Sequence, residues 1–141
     1  MSVPRVAVVG VGHLGQHHAR LLSAMDGVEL VGVVDAQPDR ASTVASKYGT
    51  RVFRTPAEVI DHVDAVSIAV PADAHEAVAI PFLDRGRAVL VEKPMASSLE
   101  QADRMVGAAD RSGAMLAVGH TERFNPAVLA ARPHLSAPRF V

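Results

Sequence analysis

Three glycines follow an apolar run in the spacing of a phosphate-binding turn: Gly10, Gly12 and Gly15. The first glycine of such a turn lets the chain bend sharply from strand to helix. The second lets a pyrophosphate approach the backbone because it has no Cβ, and the third lets the helix pack closely on the strand. Phosphates then lie at the helix N-terminus, where N–H groups and the helix dipole favour negative charge. The spacing predicts a dinucleotide site in which His13 and Leu14, inside the same loop, also contact the cofactor.

An acidic residue stands where the adenosine ribose of a dinucleotide is usually held. The apolar run Val28–Val34 ends at Asp35, about 20 residues beyond Gly15. A carboxylate there can accept hydrogen bonds from both ribose hydroxyls and would repel a 2′-phosphate, so Asp35 predicts NAD rather than NADP. Arg40 keeps NADP open because a guanidinium can bind that phosphate, although a solvated surface residue is the favoured interpretation of Arg40.

Further candidates follow the predicted fourth strand. Val70 and Pro71 end this strand beside the point where the strand order of a doubly wound sheet reverses. Ligands of open α/β sheets bind at that point, so both residues are predicted to contact the cofactor. His75 comes shortly afterwards, near a helix start. Its ring could contact the nicotinamide half of the cofactor or satisfy a backbone carbonyl.

Charged residues also follow the predicted fifth and sixth strands. Glu92 and Lys93 come directly after the fifth strand, where a lysine can donate hydrogen bonds to ribose and substrate hydroxyls. A surface ion pair is the alternative for these two residues. His120 follows the sixth strand and would approach the same edge, where it lines a substrate pocket or is structural. The candidate catalytic residues are Lys93 and His120, and Glu92 and Lys93 are also candidate cofactor contacts.

Composition and charge narrow the class of protein. A chain of 141 residues that is 49% hydrophobic and 21% charged is expected to form a globular domain with a real core. Its net charge of −1 gives no general attraction to nucleic acid or to a membrane surface. The absence of cysteine excludes disulfides and thiolate metal sites and fits the cytoplasm, which is the expected location.

The histidines do not predict a metal site. His13 and His17 have the spacing of one helix face, but His13 lies in the loop where cofactor phosphates are expected. His17 and His18 are adjacent and diverge by about 100° on a helix, so they cannot share one ion. No metal is therefore expected.

The elements that position these residues are predicted to be alternating strands and helices. Short, continuous, Val-rich runs suit strands buried on both faces of a parallel sheet. The predicted strands are Arg5–Val9, Val28–Val34, Arg51–Phe53, Ala65–Val70, Ala88–Val91 and Met115–Gly119. Helix starts are predicted at Gln16, Thr55, Asp73 and Ser97–Ser98, and helix ends at Gly86 and Gly113. Right-handed crossovers then give a doubly wound Rossmann sheet in the order 3-2-1-4-5-6.

The last part of the chain differs from this alternation. We expect a dinucleotide-binding domain over residues 1–126, followed by a linker helix and the stub of a further domain over residues 127–141. Asn125-Pro126 can cap a short helix to Ala131, and Arg132–Pro138 is typical of a linker. Arg139–Val141 is predicted to begin a strand, and such an unpaired edge could pair with another copy of the chain.

Together these motifs resemble the N-terminal domain of the Gfo/Idh/MocA oxidoreductases. The resemblance rests on Gly10–Gly15, Asp35, Val70-Pro71 with His75, and Glu92-Lys93-Pro94, and covers Val6 to about Pro126. The Glu-Lys-Pro motif is its most specific element. The stretch Gly119–Pro126 is similar to members that act on sugars, including nucleotide sugars.

The resemblance implies a two-domain NAD(P)-dependent dehydrogenase that passes hydride between a sugar carbon and the nicotinamide. It implies that Lys93 contacts the substrate and the nicotinamide ribose. It also implies a general base, usually histidine, in a C-terminal α/β domain whose open sheet commonly forms an oligomer interface. The expected partners are therefore a sugar or nucleotide-sugar substrate and further copies of the chain.

The chain departs from the pattern because it ends where the second domain would begin, which favours a fragment of a longer oxidoreductase. Lys93 is then a possible substitute base if burial lowers its pKa. One alternative is a single-domain dinucleotide-binding module or sensor without catalysis of its own. A weaker alternative is another two-domain dehydrogenase that shares the glycine turn, against which the Glu-Lys-Pro motif argues.

Overall fold

One sheet of six parallel strands organises residues 3–135, the part of the chain described by the computed structural model. Its strands are β1 Arg5–Val9, β2 Glu29–Val34, β3 Arg51–Val52, β4 Ala65–Ile68, β5 Ala88–Val91 and β6 Leu116–Val118. Their spatial order, β3–β2–β1–β4–β5–β6, confirms the predicted doubly wound Rossmann fold.

Helices fill the crossovers between the strands. They are α1 Gly15–Ala24, α2 Pro38–Tyr48, α3 Pro56–Val59, α4 His75–Asp84, α5 Leu99–Ser112 and α6 Pro126–Ala131. Local sequence fixes several starts: Thr55, Ser98 and Asn125 each accept a hydrogen bond from a backbone N–H in the first turn. Gly113 ends α5 in the left-handed conformation, as predicted.

The strands bury side chains on both faces, which explains their continuous apolar runs. In β1, Val8 packs with residues of α1 and α2, including Ala19 and Val44. Its neighbour Val9 belongs to the opposite core, with Phe82 of α4 and residues of α5. Because successive side chains of a strand alternate between faces, a strand needs apolar residues throughout to be covered on both sides.

The parallel register brings the carboxyl ends of four strands to one edge. The N–H of Ala69 donates to Val9 O at 2.8 Å, that of Glu92 to Ile68 O at 2.9 Å, and that of Gly119 to Val91 O at 2.8 Å. The loops after β1, β4, β5 and β6 therefore begin side by side. Every candidate site residue of the sequence lies on these loops, on the loop after β2, or in the first turns of the helices that follow.

Several boundaries differ from the sequence expectation. The fourth strand ends at Ile68 rather than Val70 because the chain turns away beside Gly10. Asp73 does not cap α4; it lies in a 3-10 turn, Ala72–Ala74, that precedes the helix. The predicted helix from Pro126 to Ala131 is confirmed, whereas the domain boundary at residue 126 stays a prediction, and Arg139–Val141 lies outside the described residues.

Helices within residues 3–135 are all too short or too polar to cross a membrane.

Candidate cofactor-binding site

Gly10 and Gly15 are required by the shape of the turn after β1. Gly10 has φ +83°, and a Cβ there would lie 2.8 Å from the carbonyl carbon of Ala69 and the nitrogen of Val70. A Cβ on Gly15 would overlap the carbonyl oxygen of Gly10. The two glycines therefore let the glycine turn, the segment after β4 and the start of α1 approach one another more closely than any side chain allows.

Gly12 differs from both because its missing side chain faces open space. A Cβ there would meet only a guanidinium nitrogen of Arg40, at 3.7 Å. Nothing in the packing of residues 3–135 demands a glycine at this position. The open space is what a phosphate needs to reach the N–H groups at the start of α1.

The carboxylate of Asp35 is fixed by the backbone beside this turn. Asp35 Oδ2 accepts from the N–H of Val11 at 2.8 Å, and Oδ1 accepts from the N–H of Gln37 at 2.9 Å. Each carboxylate oxygen has a second lone pair, which only a long contact from Arg40, at 3.4 Å and 3.5 Å, shares with a ligand hydroxyl. The chain thus orients an anionic acceptor toward the space in front of the glycine turn.

Arg40 is exposed to solvent, as the favoured interpretation has it, and its guanidinium also contacts Asp35 and Gln37. Its guanidinium Nη1 lies 3.4 Å and 3.5 Å from the two oxygens of Asp35, and its Nη2 donates to Gln37 Oε1 at 2.7 Å. The α2 helix begins at Pro38, so its first turn carries Arg40 back over the acid. A positive group therefore stands beside the position expected for the adenosine ribose.

These residues surround one cavity of about 610 Å³, within the usual range for ligand pockets. It brings together most of the predicted cofactor contacts: Gly10, Gly12, His13, Leu14, Asp35, Arg40, Val70 and Pro71. Loops after β1, β2 and β4 contribute to it, as expected at the switch point of a doubly wound sheet.

Lys93 and His120 lie on a neighbouring cavity of about 460 Å³. Both residues are exposed, and the cavity is otherwise formed by Pro94 and by the segment from Gly119 to Glu122. The pairing of β5 with β6 brings together two positions that are far apart in sequence. The structure therefore places both predicted catalytic residues at one opening.

Glu92 and His75 lie behind these cavities. The Glu92 carboxylate accepts from the N–H of Lys93 at 3.1 Å and lies 3.1 Å from His18 Nε2. The His75 ring is buried, and its two nitrogens face backbone carbonyls, including Val70 O at 2.8 Å and Pro94 O at 3.0 Å. These contacts agree with the second interpretation of His75, in which its ring hydrogen-bonds to a backbone carbonyl. His75 lines neither cavity.

Sequence reasoning missed His18 and Ser67. His18 Nδ1 lies 2.7 Å from Ser67 Oγ, so the ring links β4 to Glu92. The sequence raises His18 only as a possible metal ligand, and no group of three or more His, Asp or Glu side chains between positions 3 and 135 could hold a metal ion. The i,i+3 spacing of Gly15 and His18, which puts both on the inner side of α1, is the one sequence signal that could have pointed to it.

The sheet order, the glycine turn and the acid at the end of β2 define a dinucleotide-binding Rossmann domain. The family model described as "Oxidoreductase family, NAD-binding Rossmann fold" matches residues 4–120. The chain accordingly belongs to the Gfo/Idh/MocA oxidoreductase family, and the predicted resemblance is confirmed.

Similar proteins include several dehydrogenases. The chain is 38% identical over 138 residues to the UDP-N-acetylglucosamine 3-dehydrogenase of Acidithiobacillus ferrooxidans, covering 97% of this chain and 44% of that enzyme. It is 34% identical to the scyllo-inositol 2-dehydrogenase (NAD(+)) of Bacillus subtilis, covering 94% of this chain and 40% of that enzyme. The chain thus spans about two fifths of the length of these curated relatives.

Solved structures agree in fold. A structure of the Acidithiobacillus ferrooxidans enzyme superimposes with a TM-score of 0.89 at 39% identity, over 96% of this chain and 45% of that one. GenD2 from gentamicin A biosynthesis, solved in complex with NAD, gives a TM-score of 0.89 at 36% identity, over 95% of this chain and 39% of that one. The shared part is the NAD-binding Rossmann domain.

Proposed function

We propose that this chain is the cofactor-binding part of a dehydrogenase that moves hydride between NAD and a hydroxyl-bearing carbon of a sugar or nucleotide sugar. The observation that carries the proposal is the single cavity where the open side of Gly12 meets the oriented carboxylate of Asp35. The opening that holds Lys93 and His120 lies at the same edge of the sheet. Relatives named as sugar and inositol dehydrogenases support the substrate class.

The residues of the chain suit the parts of a dinucleotide. The N–H groups at the start of α1 receive the pyrophosphate across Gly12, and Asp35 accepts hydrogen bonds from the adenosine ribose. Val70 and Pro71 line the path toward the nicotinamide. When bound, the nicotinamide supplies the hydride acceptor or donor.

Lys93 and His120 are proposed to contact the substrate. The ammonium group of Lys93 donates a hydrogen bond to the reacting hydroxyl, and His120 borders the space where the sugar lies. Oxidation of the alcohol sends a hydride from carbon to the cofactor and a proton from the hydroxyl to a base. In this proposal the base comes from outside residues 1–141, as the family resemblance implies.

The cofactor is proposed to be NAD in preference to NADP. Asp35 binds ribose hydroxyls and repels a 2′-phosphate, whereas Arg40 offsets part of that negative charge. GenD2, which was solved with NAD, supports the choice. Affinity for NADP is therefore expected to be lower than for NAD but measurable.

The decisive test is titration of the purified chain with NAD, NADH, NADP and NADPH by calorimetry. Gly12→Ala is the matching variant, because the added Cβ meets no protein atom within 3.7 Å yet fills the space proposed for the pyrophosphate. The affinity of Gly12→Ala for NADH should fall at least about tenfold, which corresponds to a loss of roughly 1.4 kcal/mol in binding free energy. Its thermal stability should be unchanged.

Gly107→Ala on α5 is the control, since it makes the same chemical change far from the cavity. It should leave NADH affinity unchanged. No binding of any adenine dinucleotide by the unchanged chain would refute the proposal.

A second candidate function is dinucleotide binding without catalysis. It is favoured by the length of the match, which covers only about two fifths of the dehydrogenases similar to this chain. Purified chain that binds NADH but converts no sugar in a panel of sugars and nucleotide sugars would support it. Turnover by the 141-residue chain would reject it.

A further inference from the structure

The segment that carries Lys93 is held from both faces of the sheet by groups that lie away from the cofactor cavity. On the α1 side, Ser67, His18 and Glu92 form a continuous chain of hydrogen-bonding groups. On the α4 side, the ring of His75 contacts the backbone that follows Lys93. Neither histidine is explained by the binding of a dinucleotide.

With Glu92 ionised and the His18 ring neutral, the hydrogen bonds of the α1-side chain have one direction. Glu92 is 7% exposed and is an acceptor when ionised, so His18 Nε2 donates to it at 3.1 Å. The other ring nitrogen, Nδ1, then accepts from the Ser67 hydroxyl at 2.7 Å. Ser67 lies in β4 and is 3% exposed, so its hydroxyl holds the His18 ring against the sheet. The second oxygen of Glu92 accepts from the N–H of Lys93.

The α4-side contact holds the next two residues. His75 is 1% exposed, and its Nδ1 lies 3.0 Å from Pro94 O and 3.2 Å from Met95 O. Its Nε2 lies 2.8 Å from Val70 O, at the loop after β4. The ring therefore lies between the loop after β5 and the loop that lines the cofactor cavity; a neutral ring, with one N–H, donates to a carbonyl of one loop and packs against the other.

We propose that His18, acting through Glu92, and His75 are positioning residues that fix the backbone on either side of Lys93. The inference rests on the proposed function, in which the lysine side chain donates to the reacting hydroxyl, and on the contact with the nicotinamide ribose that the family resemblance implies. A flexible side chain delivers its charge to one place only when its backbone is held. Buried Glu92 also needs its partners, because an unpaired carboxylate is costly to bury.

The sequence offers an unusually clean measurement of this effect. Lys47 and Lys93 are the only lysines, so protein labelled with ¹⁵N-lysine gives one backbone amide signal from each. Lys47 lies in α2 and serves as an internal reference. Hydrogen exchange of the Lys93 amide reports its bond to Glu92 without any ligand.

His18→Leu and His75→Phe remove the two contacts and place an apolar side chain of similar size in the half-buried position of His18 and the buried position of His75. We expect exchange at Lys93 to accelerate about tenfold or more in His18→Leu while Lys47 is unchanged, because one hydrogen bond is lost locally. His18→Gln, whose amide nitrogen can donate to Glu92, should restore part of the protection. Arg20→Leu, an exposed position on the same helix, is the control and should behave as the unchanged chain.

A ligand comparison then separates positioning from general stability. ADP-ribose uses the glycine turn and Asp35, whereas NADH also uses the nicotinamide end. Both histidine variants should weaken NADH binding about threefold to tenfold, because one hydrogen bond from Lys93 is misplaced. Binding of ADP-ribose, which lacks the nicotinamide, should be unchanged. His18→Gln should recover part of the NADH affinity.

The inference is overturned if Lys93 exchange is unchanged in both variants, or if NADH and ADP-ribose affinities fall together. Failure of the unchanged chain to bind either ligand would instead remove the proposed function. In that case the exchange measurement still decides whether these histidines hold the segment.

Discussion

In the proposed function, Asp35 and Arg40 together set the choice between dinucleotides. The carboxylate is held by the backbone N–H groups of Val11 and Gln37, so its position does not depend on the arginine. The guanidinium lies within 3.5 Å of both carboxylate oxygens and is partly exposed. In the proposed site a ribose hydroxyl would therefore meet a preorganised acceptor, whereas a 2′-phosphate would meet both a repelling and an attracting group.

Asp35→Asn is expected to narrow the preference for NADH over NADPH. The amide keeps the size of the side chain but removes the negative charge, so NADH loses charged hydrogen bonds while the 2′-phosphate is no longer repelled. NADH affinity should fall about tenfold or more, since hydrogen bonds to charged groups contribute roughly 1.5–3 kcal/mol. Calorimetric dissociation constants for both cofactors measure the change.

Arg40→Leu in the Asp35→Asn background identifies the group that receives the phosphate. NADPH affinity should fall again while NADH affinity changes little, because only the former carries the 2′-phosphate. Equal losses for the two cofactors would show that Arg40 does not discriminate between them.

For single residues, the sequence predicts a role only where that role depends on the spacing of residues close together in the chain. Gly10, Gly12 and Asp35 could be assigned because a turn and its following strand have a fixed length. The partners of Glu92 could not be found this way. His18, Ser67 and Glu92 belong to three separate elements, and only the packing of α1 over β4 and β5 brings them within hydrogen-bond distance.

The ends of helices and strands follow the same rule: an end set by nearby residues is predicted from sequence, and an end set by a distant contact is not. Thr55, Ser98 and Asn125 cap their helices as predicted because a cap needs only the residues of the first turn. Asp73 fails as a cap because Pro71 is followed directly by a 3-10 turn. The end of β4 was misplaced because it is set by the contact with Gly10, which lies in another loop.

One ion pair ties the start of β1 to the residue before β4, where the two strands begin side by side. Asp64 Oδ2 accepts from the backbone N–H of Arg5 at 2.9 Å, and Oδ1 accepts from its guanidinium at 3.1 Å. Hydrogen bonding from the Arg5 side chain, then from its backbone, holds the pKa of the Asp64 carboxyl below its usual value of 3.8. The ionised carboxylate therefore favours the folded state.

Asp64→Asn should lower the free energy of unfolding at pH 7, where the carboxylate is ionised in both states. The loss should shrink as the pH falls from about 4 through the lowered pKa of the folded protein, because protonation removes the same interaction from the unchanged chain. Urea unfolding at pH 7 and pH 3 tests this. Asp26→Asn, at an exposed turn before β2, should show no such pH-dependent difference.

On the scale of the whole molecule, the two sides of the sheet differ in how they are covered. A cavity of about 500 Å³ lies against β4, β5 and β6 on the side where α1 packs, and its lining is mostly apolar. Several large side chains there are exposed to solvent: Leu21, Met25, Leu90, Met115 and Phe124. Exposed apolar patches of this kind are typical of surfaces that associate with protein.

We therefore expect the purified chain to self-associate through this face. Met115 is 70% exposed at the edge of the cavity, so Met115→Lys adds a charge to the patch at little cost to the fold. Sedimentation velocity over a range of concentrations should show the unchanged chain shifting toward larger species. The lysine variant should remain closer to the monomer.

Leu99→Lys is the matched control for this face. Leu99 is 80% exposed at the start of α5, outside the residues that line the cavity. The added charge is the same, so any general effect of net charge on association appears in both variants. Association that Met115→Lys and Leu99→Lys weaken equally would point away from the cavity, and a chain that stays monomeric at high concentration would contradict the expected oligomer.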